Sequence, residues 1–138
     1  MYILCDGNWD RPEIEISDLS QDLIRLGKLL LSINGDVKLQ ANLRKSEFYP
    51  ENLEAVSMKL LQSKNAEKLD LVRIFIDNKN LVIEGSKLGF YKLGTSLLNY
   101  FNKNSQNGEH FHLDYFSGDR LIAPTNCHII FLCIDKNH

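Results

Sequence analysis

Ile16, Leu26, Gly27, Leu30 and Leu31 return sixty-seven positions later as Ile83, Leu93, Gly94, Leu97 and Leu98. A pattern that recurs at this spacing favours folds in which one supersecondary unit is used twice. Each copy passes from a strand-like run into a helical one. In the first, Glu13, Ile14, Glu15 and Ile16 alternate as a half-buried strand does. Leu19, Leu23, Leu26, Leu30 and Ile33 then recur at steps of four and three, the stripe of a helix. Ser17 or Asp18 offers that helix an N-cap, and Asn34-Gly35 a stop. In the second copy Leu81, Val82 and Ile83 lead through Gly85 to Ser86, the expected cap of a helix reaching about Asn102. Gly27 and Gly94 would let the two helices approach closely. The expectation is an α+β fold of two strand-helix-strand units, a duplication spanning 13–41 and 80–115. Its two helices would pack on one face of a mostly antiparallel sheet, leaving the other face open.

The remaining strands follow from alternation and turn chemistry. Residues 1–5 read as a strand, followed by a turn from Gly7 to Pro12, and residues 36–41 alternate Val37, Leu39 and Ala41. The stretch Leu53 to Gln62 fits either period; strand is preferred because it runs into a polar turn at Ser63–Lys68 and then a strong strand. Leu71 to Ile76, the turn Asp77-Asn78-Lys79-Asn80 and Leu81 to Ile83 form a β-hairpin. Gly108 opens a strand from Glu109 to Tyr115. Cys127 to Ile134 is apolar nearly throughout, as a strand central in its sheet would be.

Composition narrows the functional classes. With 138 residues and 43% hydrophobic content, the chain can support one core and a single domain over 1–138 without disulfides. Cys5, Cys127 and Cys133 form no C-x-x-C pair and sit among apolar residues, as small hydrophobes in a reducing compartment do. No apolar run approaches the roughly 18 residues of a membrane span, and Met1-Tyr2-Ile3-Leu4-Cys5-Asp6 is neither basic-led nor long enough to read as a signal peptide, so a cytoplasmic protein without a membrane partner is expected. Residues 1–22 carry Asp6, Asp10, Glu13, Glu15, Asp18 and Asp22 against Arg11 alone, a local net of −5. Such a face repels nucleic acid and attracts a basic protein.

One segment concentrates chemistry. In a strand over Glu109–Tyr115, His110, His112 and Asp114 share one face, while Phe111, Leu113 and Tyr115 share the other. Two uses compete for the polar three. They could bind a divalent metal, since the spacing is similar to the H-x-H-x-D-H signature of metallo-β-lactamase-type hydrolases; Tyr115 stands where the last histidine belongs, leaving His128 and His138 as further ligands. Alternatively the histidines line an open sheet face and meet a partner. Asp36 and Lys38, at the matching places of the first unit, mark the same face as polar. Walker and G-x-S-x-G motifs are absent, and no cofactor is expected. Trp9, in a polar turn, is either a lid over the core or an exposed anchor.

The run Leu81-Val82-Ile83-Glu84-Gly85-Ser86, the helix with Leu93, Leu97 and Leu98, and Gly108 to Phe116 with its G-x-H-x-H pattern carry a resemblance. Together with Leu121 to Pro124 and the closing apolar strand, they resemble small bacterial immunity proteins of polymorphic toxin systems, closest to the immunity protein 32 family, over about residues 69–135. The resemblance implies a non-catalytic cytoplasmic protein that binds a cognate toxin domain, often a basic nuclease, and occludes its active site. It implies a monomer or weak homodimer with no nucleic-acid partner. Trp9, Asp10, Glu13 and Glu15 are expected to form one contact region, and His110, His112 and Asp114 another. The competing expectation is a small metal-dependent hydrolase built on His110, His112 and Asp114.

Overall fold

The computed structural model describes residues 1–62, 70–118 and 120–136. Strands β1 (Tyr2–Cys5) and β2 (Glu13–Asp18) precede helix α1 (Ser20–Leu31), which is followed by β3 (Val37–Gln40), β4 (Glu51–Asn52) and β5 (Ala55–Leu60). The second half runs β6 (Val72–Asp77), β7 (Asn80–Gly85), helix α2 (Lys87–Tyr100), β8 (His110–Leu113), a 3₁₀ turn (Tyr115–Ser117) and β9 (His128–Cys133). The architecture is α+β, with two helices and mostly antiparallel pairing. The strands divide into two sheets, ordered β4-β1-β2-β9-β8 and β3-β5-β7-β6, where a single sheet was expected.

The division has a simple cause. Each helix carries the chain from one sheet to the other, so the strand after α1 joins the sheet of β7 and the strand after α2 joins the sheet of β2. The two sheets are built alike. Ile3 lies opposite Ile16 as Ile74 lies opposite Ile83, in antiparallel pairs. Ile16 lies beside Phe131, and Ile83 beside Met58, in parallel pairs. Phe131 and Met58 in turn face Phe111 and Val37.

Local chemistry explains the elements. The two-residue turn Asn78-Lys79 closes the β6–β7 hairpin, with Asn78 in the left-handed region at φ 55°, where asparagine is among the better-tolerated residues. The Ser86 hydroxyl caps α2 by accepting the Gly89 N–H at 3.1 Å. At α1 the cap position falls to Leu19, with no side-chain bond; Asp18 still ends β2 and accepts the Leu19 N–H at 2.9 Å. Leu53–Gln62 contains a strand, and the last strand is central between β2 and β8. The turn expected at 63–68 lies outside the described residues.

Leu23, Leu26 and Leu30 of α1 and Phe90, Leu93 and Leu97 of α2 join Ile3, Ile14, Ile16, Met58, Ile83 and Phe131 in one core. Each such side chain contributes about 1.5–3 kcal/mol of apolar burial. The first sheet therefore has an inner face, committed to the core, and an outer face on which function can be sought.

Candidate partner-binding face

Glu13 and His128 are direct neighbours across the parallel β2–β9 pair, although they stand near opposite ends of the sequence. His112 lies opposite Ile130, which is itself beside Glu15. Strand alternation then places Glu13, Glu15, His110, His112 and His128 on one side of the first sheet. The opposite side carries the core residues Ile14, Ile16, Leu113, Ile129 and Phe131. Part of the outer face is covered by the loop between β3 and β5. There Arg44 stacks over the Tyr2 ring, at 5.4 Å from guanidinium carbon to centroid, and Asn52 bonds the Arg44 backbone twice.

The exposed histidines have defined hydrogen bonds. His110 Nδ1 is 3.0 Å from the Gly108 carbonyl oxygen, which can only accept, so Nδ1 carries the proton and Nε2 is an open acceptor. His112 Nδ1 is 2.8 Å from His128 Nε2, and His128 Nδ1 lies 3.8 Å from Glu13 Oε1. The Tyr49 hydroxyl, reaching in from the covering loop, donates to Glu13. With the carboxylate on its Nδ1 side, His128 is favoured as an Nδ1–H tautomer that accepts from His112. His112 then presents Nε2 as an acceptor on an exposed side chain. The arrangement is a row of neighbouring polar side chains, Tyr49, Glu13, His128 and His112, in which the two rings are hydrogen-bonded and Glu13 stands 3.8 Å from His128, with His110 flanking it.

Electrostatics follow from this row. The His112 pKa is held below its ordinary 6.5 by burial first, then by His128 and His110, against the pull of Glu13 and Asp114. Tyr49 is pushed up to about 12 by burial and then by Glu13, whose carboxylate resists a second negative charge. Protonating the histidine pair fully would cost the bond between the rings and set two cations side by side.

Asp114 and Tyr115 depart from expectation. β8 stops at Leu113, and Asp114 turns to accept the Phe116 N–H at 3.0 Å, capping the 3₁₀ turn in which Tyr115 lies exposed. An Asx-type side chain competes with the ladder for backbone donors, which is why the strand ends early. Asp114 acts on His112 through its field, but does not complete a three-ligand set on the strand. Among the described residues no three His, Cys, Asp or Glu side chains are arranged to hold a metal ion. His138 lies outside the described residues.

Trp9 and Asp10 sit in the β1–β2 turn. Trp9 is 54% exposed and, with Asp10 and Pro12, lines a groove of about 380 Å³ that residues 74–76 of β6, Asn78 and residues 125–127 also line. Arg11 stacks over exposed Phe116 at 4.9 Å, tying this turn to the turn after β8. The acidic turn and the histidine strip, which the sequence offered as separate regions, thus adjoin at one end of the first sheet. His128 entered the sequence reading only as a candidate ligand, while Tyr49 and Phe116 carried no local signal because their contacts are long-range. The three cysteines are buried, and burial pushes the Cys5 thiol up to about 11, as an inert side chain requires.

No helix among the described residues is long and apolar enough to cross a membrane. In comparisons with known proteins, no family matches the chain and neither a curated protein nor a solved structure is significantly similar to it.

Proposed function

We propose that this chain is a non-catalytic immunity protein that neutralises a cognate toxin domain by laying the outer face of its first sheet over the toxin's active site. The observation that carries the reading is that Glu13, Glu15, His128, His112 and His110 share the outer face of the first sheet, with Ile130 and Leu132 among them, while the exposed aromatics Trp9 and Phe116 sit in the turns before β2 and after β8. Carboxylates and neutral imidazole acceptors suit a partner rich in lysine and arginine, and exposed aromatics beside them suit an anchored contact. The acidic excess of residues 1–22 would speed encounter with a basic nuclease domain and make affinity fall with salt. A cytoplasmic protein, working as a monomer or weak homodimer without nucleic acid, cofactor or membrane, fits this role.

A metal-dependent hydrolase remains the second reading, favoured only by the open Nε2 atoms of His110 and His112. The test is to mix the protein with the product of the neighbouring reading frame, which the proposal expects to end in a toxin domain, and map amide exchange. The proposal expects slowed exchange over Glu13–Asp18 and His110–Leu113. An unchanged map, or metal-dependent hydrolysis by the chain alone, would overturn it.

A further inference from the structure

The two sheets match strand for strand except at one edge. β1 and β6 occupy the same place, since Ile3 and Ile74 face the equivalent residues Ile16 and Ile83. Each edge strand first receives a bridge from a loop, Tyr2 with Asn42 and Val72 with Ile122. Each then has a carbonyl capped by the following loop: Ile3 O accepts from the Leu53 N–H at 2.8 Å, and Ile74 O accepts from the Thr125 hydroxyl at 3.0 Å. Beyond this point they differ. Cys5 is paired with Glu51, so β4 completes the first sheet to five strands. Ile76, which corresponds to Cys5, has no such neighbour, and the second sheet stops at four.

The reason is in the sequence. Pro124 stands as many residues before Phe131 as Glu51 does before Met58, and proline has no N–H to give to a ladder. The outward direction of the Ile76 backbone follows from alternation. Val72 turns both its N–H and its carbonyl outward, to Leu121 at 2.9 Å and from Ala123 at 2.9 Å. Antiparallel pairing repeats that orientation every second residue, at Ile74 and again at Ile76. The Ile74 N–H and both backbone groups of Ile76 therefore point away from β7, on the side of the groove that Trp9, Asp10 and residues 125–127 also line, and no bond from them is made among the described residues.

We infer that this vacant fifth-strand position receives an extended segment of the partner protein, added to the edge of β6 through backbone hydrogen bonds. The chain's own residues 121–123 already dock on β6 in this manner, and β4 fills the equivalent place in the twin sheet. Asp10 is the charged residue lining the groove, and the exposed Trp9 lines it too. The segment is thus one that alternates an apolar residue, set beside the half-buried Ile76, with a lysine or arginine set against Asp10 and Trp9. The inference rests on the proposed function for the identity of the partner and on the groove for the mode of binding.

The probe is an acetylated and amidated heptapeptide alternating valine with lysine, added to the whole protein. In the free protein the Ile76 amide should exchange faster than that of Cys5. Saturating peptide should shift the Ile74 and Ile76 amide signals and slow Ile76 exchange at least about tenfold. The same peptide N-methylated along one edge, or with glutamate in place of lysine, should bind at least about tenfold more weakly. Ile76→Pro should abolish binding with the rest of the amide spectrum intact, and Asp10→Asn, which leaves the backbone donors in place, should weaken it. Equal binding of the N-methylated peptide, an Ile76 amide already as protected as that of Cys5, or shifts confined to other edges would overturn the inference. A toxin domain that goes unbound while the peptide docks at Ile76 supports it and overturns the proposed function instead.

Discussion

A Cβ built on Gly94 would lie 2.6 Å from the backbone carbonyl oxygen of Gly27, so the two helices touch backbone to backbone where their glycines meet. The obstacle is main chain, and cannot swing aside. Gly94→Ala gains up to about 1 kcal/mol in helix propensity, but overpacking a fixed contact costs about 1–3 kcal/mol and more when backbone must move. The net expectation is destabilisation by about 1–2 kcal/mol, seen as a lower denaturant midpoint and a Tm reduced by several degrees. Gly35→Ala, with nothing within 4 Å, should leave stability within about 0.5 kcal/mol or raise it slightly.

Much of this packing could be read from the residues. The recurring Leu-Gly pair placed both glycines on the buried stripes of their helices, the Asn78-Lys79 turn fixed the β6–β7 register, and Ser86 announced the start of α2. The separation into two sheets was not legible, because Val37 and Leu39 alternate identically whichever sheet their strand joins. Asp18 does not cap α1 and Asp114 ends its strand early for one reason: a short carboxylate can serve the backbone locally or face outward with its strand, and tertiary context decides. The neighbouring of Glu13 and His128 depends on a parallel pairing between the two ends of the chain, which local periodicity cannot encode.

His112 should titrate below 6.5 when followed by its ring proton resonances. Because the unfolded chain takes up this proton more readily than the folded one, the contribution of His112 to stability is present above pH 6.5 and is lost as pH falls through its depressed pKa. His128→Gln, which removes the ring whose charge opposes protonation of His112, should move the His112 midpoint upward while leaving it below 6.5, since burial is the larger cause. A midpoint unaffected by the substitution would contradict the paired-ring geometry.

Tyr49 should ionise near pH 12, visible as a late phase in the tyrosinate absorbance. Its raised pKa means that its stabilising contribution holds below pH 10 and fades as pH climbs toward 12. Glu13→Gln removes the second cause of the shift and should bring the ionisation down part of the way toward 10. A late phase that ignores Glu13 would place the Tyr49 hydroxyl elsewhere.

Native protein at pH 8 should resist thiol reagents at Cys5, Cys127 and Cys133, all three buried with pKa values raised by burial. Denaturant should release them together. Rapid labelling of folded protein would contradict the packing of β1 and β9 against the core.

Lysine substitutions at Glu13 and Glu15 put repulsive charge on the middle of the strip facing a basic partner. Glu13→Lys with Glu15→Lys should weaken toxin binding by at least about tenfold, and more at low salt than at high. Equal affinity in the double variant would move the contact off this face.

The most direct measurement is an activity titration: the toxin domain that the proposed function expects in the neighbouring reading frame, purified and at fixed concentration, against increasing amounts of this protein. Toxin activity should fall linearly to zero at one equivalent, unchanged by chelator. Full toxin activity in the presence of excess protein would contradict it.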